Sequence, residues 1–292
     1  MQRINDTANN IKGERFDSFD EMYRICEARE FAAPYKGVGD RSAKDKREIK
    51  DGLKYSWEQT KEAIMYGSTV FDPDFKEIKQ GIAKQVREVL SSYQRSVVKK
   101  DVVGSTVSVE RALAGHPQPF NRRKPSMKKQ KTVHLMFNIT CAWSTSTKTR
   151  LTAGCILMAI TEVLEKMDYQ VAITYTPYFS YEDRSKPSML AEVQIKDYKT
   201  RFNQRKIQFP VAAEAVLFQL GCWWMHRCLD TDYDYGSGEG RCVDYDSRKL
   251  EQAKQYARDK KAVYLSVPML DNDFSLNVQK TLDYVLEQLE KM

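Results

Sequence analysis

The stretch Lys131–Tyr178, KTVHLMFNITCAWSTSTKTRLTAGCILMAITEVLEKMDYQVAITYTPY, constrains the fold more than any other part of the chain. Residues Thr132–Thr140 hold the unbroken apolar run of a strand covered on both faces. A hydroxyl-rich loop follows, and then a helix over Thr149–Met167 with Leu151, Cys155, Ile156, Met158, Ala159, Ile160, Val163 and Leu164 round most of its circumference. Asp168 turns this helix into a second apolar strand, YQVAITYTPY. The three pieces form one βαβ unit, whose crossover sets the two strands parallel. A helix with so little polar surface needs a sheet on one side and a cover on the other.

The alternation continues downstream. Leu190–Tyr198 places Ala191, Val193 and Ile195 on one side of a third strand, and Pro210 opens a second apolar helix, VAAEAVLFQLGCWWMHRC. A polar helix over Asp246–Asp259 leads to a fourth strand, Lys261–Leu270. Asp273 or Ser275 caps a last helix with Val278, Leu282, Val285, Leu286 and Leu289 on one face. Strands alternating with helices predict an α/β fold: an open, mostly parallel sheet with helices on both faces.

Residues 1–121 read as a mostly helical region ahead of this core. After a polar start, Phe16–Phe31 is a helix with Asp17 or Ser18 as N-cap and Phe19, Met22, Tyr23 and Cys26 on its packed face, and residues 32–54 form a loop. Ser56–Gly67 has Ser56 as N-cap, Gln59 in the capping-box position and Gly67 at its end. Residues 71–96 repeat Phe75, Ile78, Ile82, Val86 and Val89 at helical steps. Gly104 then marks a bend between β-prone pieces, and Val109–Ala114 is one helical turn stopped by Gly115 and Pro117. Residues 122–131 connect to the core, which runs over 132–292.

No run approaches the ~18–20 apolar residues of a membrane-spanning helix, so no membrane partner is expected. The first residues lack the apolar centre of a signal peptide, which predicts a cytoplasmic protein. Six scattered cysteines without a CxxC pair read as reduced and buried. The net charge of +7 is unevenly spread. The connector RRKPSMKKQK carries Arg122, Arg123, Lys124, Lys128, Lys129 and Lys131 and no acid, which suits a nucleic-acid contact, whereas residues 230–246 are strongly acidic.

In open α/β sheets ligands collect at the carboxyl ends of the strands, so the first candidate site is the loop Asn138–Ser146 with Asp271 and Asp273. Its order resembles the von Willebrand factor A-type domain, in which an Asp-x-Ser-x-Ser signature ends the first strand and holds a divalent cation. The matching positions here are Asn138, Thr140 and Ala142, with Ser144 and Ser146 beyond. An amide in place of the carboxylate weakens a site for Mg²⁺, so no cofactor is expected and the loop reads as a recognition edge.

A second candidate lies in EVQIKDYKTR, where Asp197 and Lys199 resemble the Asp/Glu-x-Lys strand end of RecB-type nucleases and Glu192 supplies another acid. Cys222, His226, Cys228 and Cys242 do not follow a zinc-finger spacing and read as core. Neither GxxxxGK[ST] nor GxGxxG occurs.

FDSFDEMYRICE, YSWEQTKEAIMYG, DVVGSTVSVERALAGHPQPF, LEKMDYQVAI and VQIKD followed by IQFPVAAEAVLFQLG occur in an order that resembles an uncharacterised family of tailed bacteriophages, from about Phe16 to the C-terminus. Pro117-Gln118 stands where that family has a Pro-Glu pair. The resemblance implies a phage-encoded protein of the host cytoplasm with a von Willebrand A-like core and no known activity. Three functions follow as expectations. The first is a soluble interaction protein with a phage or host protein partner, the second a metal-dependent nuclease, and the third a virion component.

Overall fold

A computed structural model of the chain describes residues 1–32, 57–67, 72–93, 99–101, 106–117, 120–122, 131–141, 145–180, 187–200 and 246–292, together with Pro210, Leu220, Trp224, Arg241, Cys242 and Asp244. The βαβ unit is present as read: β6 (Lys131–Asn138), α5 (Thr147–Lys166) and β7 (Tyr169–Tyr175) follow one another, and β6 and β7 pair in parallel from Lys131↔Tyr169 to Phe137↔Tyr175. Val133, Leu135 and Phe137 face one way and Met136 the other, as the two-residue period of a strand requires. β11 (Ala262–Ser266) pairs in parallel with the other edge of β6 and divides its side chains in the same way: Val263 and Leu265 against Ala262 and Tyr264.

Helices cover both faces. The larger core joins α5 to Phe19, Met22 and Cys26 of α1 (Phe19–Ala32), to Phe75 and Ile82 of α3 (Asp72–Tyr93), and to Val278, Leu282 and Val285 of α7 (Val278–Glu290). The opposite face is packed by Ala253, Tyr256 and Ala257 of α6 (Ser247–Asp259). The fold is therefore α/β, with a sheet in which β7, β6 and β11 run parallel and helices on each side. α2 (Trp57–Tyr66) packs on α1 and ends at Gly67, whose φ of 82° suits a glycine at that turn.

Four elements differ from the sequence reading. The polar start forms an antiparallel hairpin, β1 (Gln2–Asp6) and β2 (Ile11–Phe16), and β2 joins the main sheet beside β9 (Ser188–Lys196). β9 runs antiparallel to β7, so the eight-stranded sheet is mixed toward this side. The fourth strand ends at Ser266, and Met269–Asp273 winds into a short π-helical turn. The last helix is capped by Asn277, which accepts from the Lys280 amide at 3.0 Å, and not by Asp273 or Ser275. An asparagine two residues beyond Ser275 competes for the same role, and sequence alone does not rank the two.

β3 (Lys99–Asp101), β4 (Thr106–Val107) and β5 (Phe120–Arg122) form a three-stranded sheet, and between β4 and β5 the chain makes α4 (Val109–Leu113), the single turn expected before Gly115. β8 (Tyr178–Ser180) pairs with β9 and with β10 (Arg241–Cys242). Among the described residues no helix is long and apolar enough to cross a membrane. Cys26, Cys141 and Cys155 are buried.

Candidate functional site

β6 lies between β7 and β11, and the connections leave it on opposite faces: α5 lies on the larger core, whereas α6 leads into β11 from the smaller one. The carboxyl ends of β6 and β11 thus flank the crevice in which sheets of this kind present ligands. Ser266 pairs with Asn138, so the two strand ends stop level with each other, and Asn138, Tyr264 and Ser266 share the face of α6.

The crevice is filled from within the chain. The carboxylate of Asp244 accepts from Asn138 Nδ2 at 3.0 Å, from the Tyr264 hydroxyl at 3.0 Å and from the Ser266 hydroxyl. Asn138 Nδ2 also donates to the Tyr264 oxygen at 3.0 Å, while Asn138 Oδ1 accepts from the Thr140 amide at 2.9 Å. Thr140 Oγ1 accepts from the Tyr178 amide at 2.9 Å, and Ser266 Oγ from the Met269 amide at 3.1 Å. Asn138, Thr140 and Ser266 are all buried. A carboxylate can only accept, so the residue opposite Asp244 must donate, and an asparagine at 138 does. The amide that looked like a lost metal ligand is thus the complement of an acid more than a hundred positions along the chain.

The other members of this loop do different work. Ser146 is the N-cap of α5, accepting from the Thr149 amide at 3.0 Å, and Asp271 and Asp273 stand exposed in the π-helical turn. Ser144 lies outside the described residues. Sequence reasoning missed Asp244, Tyr264 and Ser266. The acidic stretch 230–246 was the signal for the first, but nothing in it singles out one acid among many.

The nuclease-like residues are not brought together. Glu192 is buried on the α6 face, where it accepts from Arg15 Nε at 2.5 Å and from the Tyr256 hydroxyl at 2.5 Å. Burial, and then the Glu192 carboxylate, push the Tyr256 phenol up, which keeps it a donor. Asp197 lies beyond the strand end and half-buried, accepting from the amides of Thr200 at 2.6 Å and Lys199 at 2.7 Å, bonds that hold its pKa down. Five residues of extended chain separate the two acids by roughly 16 Å, too far to share one metal ion. Lys199 is exposed; the buried lysine of this strand is Lys196, which donates to Val171 O at 2.7 Å and pairs with Glu165 at 2.9 Å.

In the basic connector, Lys131 is exposed at the start of β6, 5.5 Å from the centre of the Tyr169 ring. Arg122 ends β5, and Arg123, Lys124, Lys128 and Lys129 lie outside the described residues, as do Cys222, His226 and Cys228. Among the described residues no three His, Cys, Asp or Glu side chains are grouped to hold a metal ion.

His134, on the face shared with Asn138, bonds to Thr174 Oγ1 at 2.8 Å, and burial lowers its pKa from 6.5. The unfolded chain therefore takes up a proton that the folded chain resists. Stability should fall as pH drops below 6.5 and level off beneath the folded value. Urea titrations at about pH 7.5 and about pH 5.5 are expected to show this loss, and His134→Gln, which keeps a partner for Thr174, to shrink it. An equal loss in the variant would assign the effect to other groups.

These features define an α/β protein whose strand-end crevice is closed by its own carboxylate. The chain belongs to the family described as a domain of unknown function, DUF7192, which matches residues 5–291. The match takes in the end of β1, the whole of β2, the helices before the core and the core itself. No curated protein and no solved structure matches the chain.

Proposed function

We propose that the protein is a phage-encoded, non-catalytic interaction protein that acts by binding another protein of the phage or its host. One observation carries the reading: the crevice at which a sheet of this order would take a substrate is occupied by Asp244, with Asn138, Tyr264 and Ser266 engaged on it. A polar network whose members hydrogen-bond one another holds this surface in one arrangement. The separation of Glu192 from Asp197 speaks against shared metal chemistry on β9. The order of motifs from Phe16 to the C-terminus supports the phage origin.

Incubation with plasmid DNA and Mg²⁺ or Mn²⁺ is expected to leave the plasmid intact, and the protein is expected to leave infected cells in a stoichiometric complex with one other protein. Recovery of that complex in purified virions would assign the partner to the particle. Metal-dependent cleavage that Lys199→Ala abolishes would overturn the proposal in favour of a nuclease.

A further inference from the structure

α3 and α5 pack side by side, and between them lies a groove of 630 Å³. Its floor is apolar: Phe75, Ile82 and Val86 on one wall face Cys155, Met158 and Ala159 on the other. This volume falls inside the range of ~300–1,000 Å³ typical of small-molecule sites, which combine an apolar lining with a few placed charges. The Cys155 thiol is pushed up to about 12 by burial and stays neutral, so the floor carries no charge of its own.

The rim is asymmetric. On the α5 side the acids are engaged, Glu162 with Lys166 at 2.7 Å and Glu165 with Lys196 at 2.9 Å. On the α3 side Lys79 and Arg87 are exposed at the groove and form no ion pair among the described residues. They stand eight residues apart, about 12 Å along the helix, one toward each end of the apolar floor. A long apolar trough with uncompensated cations along one lip fits a molecule with a linear hydrocarbon body and an anionic head.

We propose that the groove between α3 and α5 binds a single-chain aliphatic carboxylate, its chain lying on Ile82, Val86, Met158 and Ala159 and its head held by Lys79 or Arg87. This site is separate from the Asp244 crevice and does not depend on the reading of that crevice.

Dodecanoate, titrated below its micelle concentration by calorimetry, is expected to bind at one saturable site. Reversing both cations, Lys79→Glu with Arg87→Glu, should weaken it about tenfold or more, the scale of two lost surface ion pairs replaced by repulsion. Lys76→Glu, an exposed lysine of α3 outside the groove, should leave affinity unchanged. Ala159→Trp, which fills the floor, should abolish binding, and its circular dichroism should match the parent protein. If that variant fails to fold, the charge-reversal pair still decides the matter. No saturable binding, binding indifferent to the double reversal, or binding only of an acidic amphipathic peptide offered in parallel would each overturn the proposal.

Discussion

Gly13→Ala is expected to destabilise the protein by about 3 kcal/mol or more, among the largest effects of any single methyl group in the chain. Gly13 pairs with Leu190 where β2 meets β9, and a Cβ built on it would lie 1.7 Å from the Leu190 carbonyl oxygen. That oxygen is backbone in a ladder, so no side chain can swing away, and the strands must part. Six paired residues of β2 are affected, including Ile11 and Phe16, both buried. Two polar links also run from this strand: Trp224 Nε1 donates to Glu14 at 3.0 Å, and Arg15 pairs with Glu192 at 2.5 Å. A fall in Tm of roughly 5 to 10 °C should accompany the loss, and amide exchange should accelerate first in β1 and β2. A variant within ~1 kcal/mol of the parent would show that the hairpin contributes little to the sheet.

The same hairpin shows why part of the fold was hidden in the sequence. β6, α5, β7 and β11 announce themselves because they bury apolar side chains at a regular period, and α6 because Asp246 precedes it and accepts from the amides of Arg248 and Lys249. β2 buries Ile11 and Phe16, but between them it buries a glycine and the carboxylate of Glu14, which no hydropathy pattern records. β1 is an edge strand of sequence QRIND, and the polarity that keeps an edge from pairing with other chains also makes it read as a tail. The direction of β9 was hidden for another reason. A strand lists what it buries, not which way its neighbour runs, and the parallel expectation came from alternation with helices alone. For the candidate site, the sequence located the strand end and its loop. It could not bring Asp244 to Asn138, since a contact spanning 106 positions has no local signature.

That contact makes the sharpest prediction. Asn138→Asp would restore the carboxylate that a von Willebrand A-type cation loop carries, yet it is expected to cost about 2–4 kcal/mol at neutral pH. The donor 3.0 Å from the Asp244 carboxylate becomes an acceptor, and two like charges then share a site in which residue 138 is fully buried. Such a pair holds one proton between them, so its apparent folded pKa rises above the ~3.9 of an unfolded aspartate. A raised folded pKa means that the folded state gains a proton first on acidification. The deficit should therefore shrink as pH falls through the raised value and stop shrinking below about 3.9. Asn138→Ala also loses the hydrogen bonds but adds no charge, so its deficit should not recover in acid. A divalent cation offers a second separation of the two variants. Mg²⁺ or Mn²⁺ can sit between paired carboxylates, with the Ser266 hydroxyl as a further oxygen, and should raise the Tm of Asn138→Asp while leaving Asn138→Ala and the parent protein unchanged. An Asn138→Asp protein as stable as the parent at neutral pH, with no response to acid or to cation, would mean that Asp244 does not occupy the crevice in solution.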